Sequence, residues 1–302
     1  MSVEQQVAWL EQTVGVRRLH DRAIVEVSGD DAATWLQGQL TNQLEGLEPG
    51  GSVYGFILSL KGRVMADVWV LARDTDFWLD VPASEVSALL ERLDRYIIME
   101  DVDLTHRDDV VIFTAQGPHA SRLEAKRWPS DLLGLGGTVS VFPTAEADTA
   151  WTTYLHEATE LGGGEIGDEA WTRAFVKHGQ PRFGSDFSDD TYPQETGLTD
   201  AAVSFNKGCY VGQETVVMLQ NRGKAPKVLW QWAIDTTEAP ARGTPITKDG
   251  ANVGVVTSAV EDRGAVVALG FLKRGHDPGP ASTWRIGDAA ASPTRPVGCA
   301  SA

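Results

Sequence analysis

The apolar positions of the first half of the chain follow two different spacings. Helices are predicted where apolar residues recur every third or fourth position, at residues 3–14, 32–40 and 83–96. Asp30 or Asp31 would cap the second of these through its carboxylate. Strands are predicted where β-branched runs end at Gly or Asp, at residues 19–27, 77–81, 102–105 and 109–115, with a hairpin over 50–72 broken at Lys61-Gly62-Arg63. This mixture predicts an α+β fold with an antiparallel sheet.

The second half is divided more finely by glycine and proline. A short helix is predicted over residues 120–125, further strand material over 134–153, and a helix over 168–176 that leads into a long polar loop. The apolar run 216–219 is predicted to be a strand. Short strands without an intervening helix are typical of a small antiparallel barrel or sandwich, and they lie at 228–234, 244–248, 252–260 and 265–272. The last 20 residues, rich in Ala, Ser, Pro and Gly, are expected to be loosely held.

Length and charge narrow the function classes. At 302 residues the chain exceeds one ordinary hydrophobic core, so two or three units are expected, with a boundary near Gly223. A formal net charge of −16 opposes direct binding to nucleic acid, because the phosphates would be repelled. The first 20 residues lack an apolar signal core, and no long apolar run predicts a membrane span. A soluble protein of the cytoplasm is therefore expected.

Five carboxylates lie in the loop that follows the 168–176 helix. Their spacing is not that of a calcium loop, so a solvated acidic loop is the favoured interpretation; they are Asp186, Asp189, Asp190, Glu195 and Asp200. Glu195 follows Pro193-Gln194 and precedes Gly197, and this placement makes it the exception that merits attention. No metal ligand set is predicted here.

The segment 203–214, VSFNKGCYVGQE, concentrates the most reactive groups of the chain. It holds Cys209, one of only two cysteines, and two glycines that relax the backbone around it. The remaining polar groups of the motif are Lys207, Tyr210, Gln213 and Glu214, and its glycines are Gly208 and Gly212. The second cysteine, Cys299, lies in the small-residue tail, where fraying is expected.

Cys209 has two interpretations from residue type and neighbours. A solitary cysteine is often a small buried hydrophobe. A thiol between glycines with Lys207 two positions away is instead suited to a reachable thiolate. A cysteine hydrolase is disfavoured, because no sequence signature links any of the six histidines to this thiol. Glycine-rich phosphate cradles are also absent from the sequence.

The motif KGCYVGQE resembles the K-G-C-[FY]-x-G-Q-E signature of the YgfZ proteins, folate-binding relatives of the glycine-cleavage T-protein. Three other stretches resemble that family in the same order, so the resemblance spans roughly residues 15–275. They are GDDAATWLQGQLTN, LSLKGRVMADVWVL and GQPRFGSDFSDDTYPQETGL.

The resemblance implies a T-protein-like arrangement of three β-rich domains around a central channel that binds tetrahydrofolate. Residues 1–222 would form the folate-binding region, two intertwined α+β subdomains with about 50–105 as the inserted one. Residues 223–302 would form the C-terminal β-barrel and loose tail. The implied function is to support assembly or repair of iron–sulfur proteins, with a link to tRNA modification, and without classical catalytic activity. The implied partners are folate and iron–sulfur client or assembly proteins.

The resemblance also assigns roles to individual residues. Cys209 would be the reactive thiol, and the implied folate contacts are Glu195, Lys207, Tyr210 and Arg63. Lys177 is a departure, because T-proteins carry at this position a glutamate that contacts the pterin. The alternative function is enzymatic, a tetrahydrofolate-dependent aminomethyltransferase or demethylase, which needs a carboxylate beside the reacting nitrogen.

Overall fold

A computed structural model describes residues 1–125, 127–223, 225–279 and 282–298. The helices are α1 (Val3–Gln12), α2 (Ala32–Gln39), α3 (Val86–Asp94), α4 (Ala147–Glu160), α5 (Asp168–His178), α6 (Pro193–Thr196), α7 (Thr199–Ala202) and α8 (Gln213–Arg222). The first ten strands are β1 (Gly15–Arg18), β2 (Arg22–Ser28), β3 (Ser52–Leu58), β4 (Val64–Ala72), β5 (Phe77–Pro82), β6 (Asp103–Arg107), β7 (Val110–Gln116), β8 (Trp128–Pro129), β9 (Gly137–Pro143) and β10 (Gly164–Glu165). The last six are β11 (Lys227–Ile234), β12 (Pro245–Lys248), β13 (Ala251–Asp262), β14 (Ala265–Lys273), β15 (Trp284–Ile286) and β16 (Ala289–Pro296).

The chain divides into two compact units, each of which is made of three separate stretches of the sequence. The first unit contains residues 1–59, 65–171 and 202–211. The second contains 60–64, 172–201 and the described residues from 212 onward. The cysteine motif is therefore divided between the two units at Val211 and Gly212. The predicted boundary near residue 223 and the predicted 50–105 insertion stay predictions.

The first unit is built on two five-stranded sheets. One sheet has the strand order β10-β1-β7-β9-β8, and the other has the order β3-β4-β5-β2-β6. In the second sheet, alternate residues of each strand face a core shared with α2 and α3, where Trp35, Leu36 and Leu89 are buried. The first sheet packs on α4 through Phe113, Trp151 and Tyr154. Burial of these large side chains is the main favourable contribution to folding of the unit.

The second unit is built on a closed antiparallel barrel, β11-β14-β13-β12-β15-β16. Its interior is filled by apolar side chains that include Trp232 and Trp284, whose rings lie 5.2 Å apart. Closure satisfies the backbone hydrogen bonds that an open sheet edge would leave exposed. The sequence-based expectation of an α+β fold with a small C-terminal antiparallel barrel is thus confirmed.

The prediction of a strand over residues 216–219 is wrong, because these residues lie inside α8. Gly212 (φ +83°) and Gly223 (φ +58°) bound this helix in left-handed conformations that favour glycine. Glu214 in the first turn and Arg222 in the last turn complement the helix dipole. The apolar run with its β-branched residues favoured a strand by local propensity. The two glycines instead allow the chain to enter and leave a helix at these positions.

Three further expectations are corrected. Residues 147–160 form α4, so only 137–143 of the predicted strand material is a strand. The predicted helix over 120–125 is a single 3-10 turn over residues 120–122. The C-terminal segment was expected to be loosely held, but residues 289–296 form β16, which pairs with β11 and β15 and closes the barrel. Cys299 lies outside the described residues.

Candidate functional site

Lys207 anchors the cysteine motif to the end of α2. Its ammonium nitrogen donates hydrogen bonds to the carbonyl oxygens of Gln37 (2.7 Å), Leu40 (2.6 Å) and Asn42 (2.7 Å). These carbonyls belong to the last turn of α2 and the residues after it, where the helix leaves acceptors unpaired and where a cation is favoured. Parts of two family-like stretches are therefore in direct contact within the first unit: the end of GDDAATWLQGQLTN and the beginning of KGCYVGQE.

The charge state of Lys207 reflects two opposing effects. Burial lowers the pKa of its ammonium to about 8, from an ordinary value of 10.5. The three carbonyl acceptors favour the protonated form, which has three hydrogens to donate. All three hydrogens are engaged in this arrangement, so the ammonium has none left for a cofactor carboxylate.

Further backbone contacts fix the segment on both sides of Lys207. The hydroxyl of Thr41 donates to the carbonyl of Ala202 at 2.6 Å, and the amide of Ser204 donates to the carbonyl of Thr41 at 3.0 Å. After the cysteine, the amide of Val211 donates to the carbonyl of Gly38 at 3.1 Å. The chain from 202 to 211 is consequently held along α2 at three points.

Cys209 lies between these attachment points with its side chain exposed. A side chain added at the neighbouring Gly208 would meet open space, so the approach to the thiol is unobstructed there. The interpretation of Cys209 as a buried small hydrophobe is therefore not supported. An exposed thiol on a fixed backbone can reach a partner thiol, a metal cluster or an electrophile.

Tyr210 is buried beside this anchor. Its ring centroid lies 5.3 Å from the ammonium nitrogen of Lys207, a cation–π distance. Burial raises the pKa of its phenol to about 12. The hydroxyl has no hydrogen-bond partner among the residues that the structure describes. Buried polar atoms are rarely left unpaired, so this hydroxyl is available to a water molecule or a ligand.

The second half of the motif begins α8 in the second unit. Gly212 precedes the helix, and Gln213 and Glu214 form its first turn. The turn at Gly62 (φ +74°) packs here, because a Cβ at Gly62 would lie 2.7 Å from Cβ of Thr215 and 3.1 Å from the carbonyl oxygen of Gly212. The Lys61-Gly62-Arg63 turn and the start of α8 thus require glycine at both contact positions.

Arg63 and Glu195, two predicted folate contacts, lie in one cluster of the second unit. The guanidinium of Arg63 lies 4.5 Å from the ring centroid of Tyr192 and donates to the carbonyl of Asp190. Glu195 accepts the backbone amide of Tyr192 at 2.8 Å, which closes a capping box on α6. Burial raises the pKa of Glu195, while Arg63 and Lys227 partly offset that effect.

Asp186 and Glu195 correct the interpretation of the 178–198 loop as a solvated acidic loop. Asp186 is 2% exposed and Glu195 is 1% exposed. One carboxylate oxygen of Asp186 accepts the hydroxyls of Thr257 (2.7 Å) and Ser258 (2.5 Å), at the bulge in β13. Its other oxygen accepts the amide of Arg182 at 3.0 Å. Asp186 therefore joins the loop to the barrel.

Lys177, the departure noted in the sequence, has an electrostatic partner within the second unit. Its ammonium lies 3.6 Å from a carboxylate oxygen of Asp262 in β13. The backbone carbonyls of Val176 and Lys177 both accept from the side-chain amide of Gln231 at 2.9 and 2.8 Å. The end of α5 is thus attached to the barrel, and Lys177 supplies a cation where a T-protein carboxylate is expected.

Comparisons with known proteins find similarity along most of the chain. The family described as the GCVT N-terminal domain matches residues 1–132. The tRNA-modifying protein YgfZ of Klebsiella pneumoniae is 27% identical over 299 residues, covering 91% of this chain and 89% of that protein. The protein of the same name from Aliivibrio fischeri is 26% identical over 275 residues, covering 85% and 84%. The chain is thus similar to the YgfZ proteins over most of its length.

Two further likenesses are to a plant protein and to a solved structure. A chloroplastic protein of Arabidopsis thaliana, named as a transferase, is 26% identical over 283 residues. The match covers 83% of this chain but only 63% of that protein, less than two thirds of its length. The crystal structure of the glycine cleavage system aminomethyltransferase T from Bartonella henselae superposes with a TM-score of 0.84 at 18% identity, covering 98% of this chain and 89% of that one. This likeness shows the shared fold.

One polar cluster of the first unit was not predicted from the sequence. Arg22 donates to Asp67 at 2.8 Å and to Asp80 at 2.7 Å on the face of the second sheet opposite its core. The hydroxyl of Tyr54 lies 3.3 Å from the other oxygen of Asp67. Burial raises the pKa of Asp80 despite Arg22 beside it. The available signal was Asp67 itself, since it interrupts an apolar strand on one face only.

The same face of the second sheet carries an aromatic pair. The rings of Tyr54 and Trp69 lie 5.2 Å apart. The indole nitrogen of Trp69 is buried and has no hydrogen-bond partner among the described residues. Elsewhere in the first unit, a cavity of about 250 Å³ is lined by Arg18, His20, His106 and Asp108 and includes none of the predicted site residues.

Neither a metal centre nor a membrane span is found in the described ranges of the chain. No three His, Cys, Asp or Glu side chains within 1–125, 127–223, 225–279 and 282–298 are grouped so that they could hold a metal ion. Within the same ranges, no helix has the length and apolar character needed to cross a bilayer.

Proposed function

We propose that the chain is a folate-binding factor that supports the assembly or repair of iron–sulfur proteins and thereby contributes to tRNA modification. The single observation that carries the proposal is the exposed thiol of Cys209 on a segment held by Lys207 and Val211. The names of the bacterial relatives support the tRNA-modifying part, and the resemblance to the family signature supports the iron–sulfur part.

Cys209 would act through a partner, because one thiolate cannot hold a cluster alone. The thiol would contact a cluster, a partner thiol or a folate-carried one-carbon unit. The anchors on either side keep the thiol in place without covering it, so little ordering is needed when a partner arrives. Cys209→Ala should therefore abolish rescue of a strain that lacks its YgfZ gene while leaving the unfolding transition unchanged.

The folate part of the proposal has support from two unpartnered buried groups in the first unit. A pterin is a flat ring with hydrogen-bond acceptors, and it fits an aromatic surface that offers a free donor. The Tyr54–Trp69 pair offers such a surface, with the indole N–H of Trp69 as donor. Tyr210 offers a second buried group, its hydroxyl, which has no hydrogen-bond partner among the described residues. Glu195 and Arg63 remain proposed contacts, and Lys207 would act by holding the segment.

Tetrahydrofolate titration, followed by tryptophan fluorescence, tests the folate part. The wild-type protein should show a saturable one-site change. Trp69→Phe keeps an aromatic ring and removes the donor, so its Kd should rise about 5- to 10-fold, the value of one hydrogen bond. Trp9→Phe, in α1, is the matched control and should bind as the wild type does. Absence of any saturable change with wild-type protein would refute folate binding.

A further inference from the structure

The turn that follows α3 presents two adjacent large apolar side chains to solvent. Ile98 is 83% exposed and Met99 is 92% exposed, while Ile97 packs against the core of the second sheet. We call residues 96–101 the apolar turn. Single exposed hydrophobic residues are common, but two adjacent ones at the tip of one turn form a compact apolar projection.

The apolar turn is held rigidly from both sides. One carboxylate oxygen of Glu100 accepts the amides of Ile98 (2.8 Å) and Met99 (3.0 Å), and these bonds keep the pKa of Glu100 below its ordinary value. The indole of Trp35 donates to the carbonyl of Tyr96 at 3.0 Å. A projection whose backbone is already ordered loses little conformational entropy when it docks.

Asp31 completes the support at the far side of the apolar turn. Its carboxylate accepts the amide of Asp101 at 2.8 Å, and its own amide donates to the carbonyl of Asp101 at 3.1 Å. Asp31 was expected to cap α2, and no side-chain cap bond is present there. The carboxylate binds the backbone of the apolar turn instead. A residue that the sequence offered as a helix cap therefore helps to position the exposed Ile98 and Met99.

The charge around the projection is negative. Residues 91–103 contain five acidic and two basic side chains. Both basic groups are engaged within the unit, since Arg95 pairs with Glu91 and Arg92 donates to the carbonyl of Leu58. An anionic membrane surface would repel this region. A protein surface with lysine or arginine around an apolar cleft would attract it and fit the two side chains.

We propose that Ile98 and Met99 dock into an apolar cleft, rimmed by basic side chains, on a partner protein. The inference rests on the proposed function, because a factor that maintains iron–sulfur proteins must bind them or their assembly machinery. It assigns the apolar turn as the binding element and leaves Cys209 as the reactive group. Protein interfaces commonly have a few buried apolar anchor residues surrounded by a polar or charged rim, and Ile98 and Met99 with their acidic neighbours have this arrangement.

Photo-crosslinking in cells tests the partner directly. A photoreactive residue replaces Met99 in one protein and Leu60, also exposed at 74%, in the control. We expect a product at position 99, at least about 10-fold above that at position 60, whose mapped site is an apolar cleft flanked by Lys or Arg. A product with lipid, with a second copy of this chain or with an acidic surface would overturn the proposal, as would equal yields at both positions.

Rescue separates this inference from the proposed function. Ile98→Ser combined with Met99→Ser should cut rescue of iron–sulfur enzyme activity about 10-fold, with tetrahydrofolate binding and alkylation of Cys209 unchanged. Leu60→Ser is the matched control and should rescue fully. Full rescue by the double variant, alongside failure of Cys209→Ala, would refute the docking turn alone. Full rescue by Cys209→Ala would refute the proposed function itself.

Discussion

The ammonium of Lys207 lies 2.6 Å from the carbonyl oxygen of Leu40, the residue that ends α2. This contact joins the cysteine motif to a helix that is distant in sequence. It also assigns Lys207 a role that the sequence alone did not indicate. The lysine holds the segment that presents Cys209, and its charge is directed at backbone carbonyls.

Removal of this ammonium should destabilise the fold. Lys207→Met keeps the length of the side chain but removes the hydrogen-bond donor from one buried and two part-buried carbonyl oxygens, so the free energy of unfolding should fall by about 2–4 kcal/mol. Lys61→Met, at an exposed lysine, should change it by less than about 0.5 kcal/mol. Urea denaturation measures both. Equal stabilities of the two variants would contradict the anchoring role.

The exposed thiol should react in the folded protein. In a Cys299→Ser background, iodoacetamide should alkylate Cys209 within about 10-fold of the rate in the urea-unfolded chain, because no opening of the structure is required. Mass spectrometry of quenched samples gives both rates. Protection of about 1,000-fold or more would mean that the thiol is buried, and would refute the exposed placement.

Glu195 should make stability depend on pH in a defined direction. Its folded pKa is raised above the ordinary 4.5, so the folded state binds more protons than the unfolded state between these two values. The stability contributed by this group is therefore present at low pH and is lost as pH rises through the folded pKa.

Glu195→Gln isolates that dependence, because glutamine still accepts the amide of Tyr192. The stability of the variant relative to wild type should rise between pH 4.5 and pH 7, and the two proteins should converge at the acidic end. Denaturant unfolding at several pH values gives the difference. A difference that stays constant, or that shrinks as pH rises, would show that the pKa of Glu195 is not raised.

Asp186 should be the acidic residue of the 178–198 loop that matters most for stability. Asp186→Ala removes the acceptor for Thr257, Ser258 and the amide of Arg182, which should cost about 2–3 kcal/mol of unfolding free energy. Asp189→Ala, at an exposed neighbour, should cost less than about 0.5 kcal/mol. Thermal unfolding of the two variants tests this prediction. Similar losses of stability in both would contradict the role of Asp186 in joining the loop to the barrel.

Sequence predicted the elements whose pattern is local and missed those decided by distant contacts. The barrel strands followed from short β-branched runs between glycines, and α1 and α3 followed from the spacing of their apolar residues. The 216–219 run was wrong because two glycines, and not the apolar pattern, set the ends of α8. The role of β16 was hidden because its residues are small, and its pairing with β11 supplies the stability that composition could not indicate.

The candidate site shows the same division. Family resemblance marked Lys207, Cys209 and Tyr210, and residue type alone left Cys209 either buried or reachable. The contacts of Lys207 depend on where α2 ends in space, which no local pattern encodes. The buried state of Asp186 likewise depends on a bulge in β13, far along the chain. Polar residues in a turn-rich loop are predicted as solvated unless their partners are known.

The most direct test of the central claim is the activity of an iron–sulfur enzyme in a bacterial strain whose own YgfZ gene has been deleted. Plasmids encode wild-type chain, Cys209→Ala or Cys299→Ser, and equal soluble protein levels are verified for each. The account predicts full activity with wild type and Cys299→Ser, and activity near that of the empty strain with Cys209→Ala. Wild-type activity with Cys209→Ala would contradict the claim that this exposed thiol carries the function.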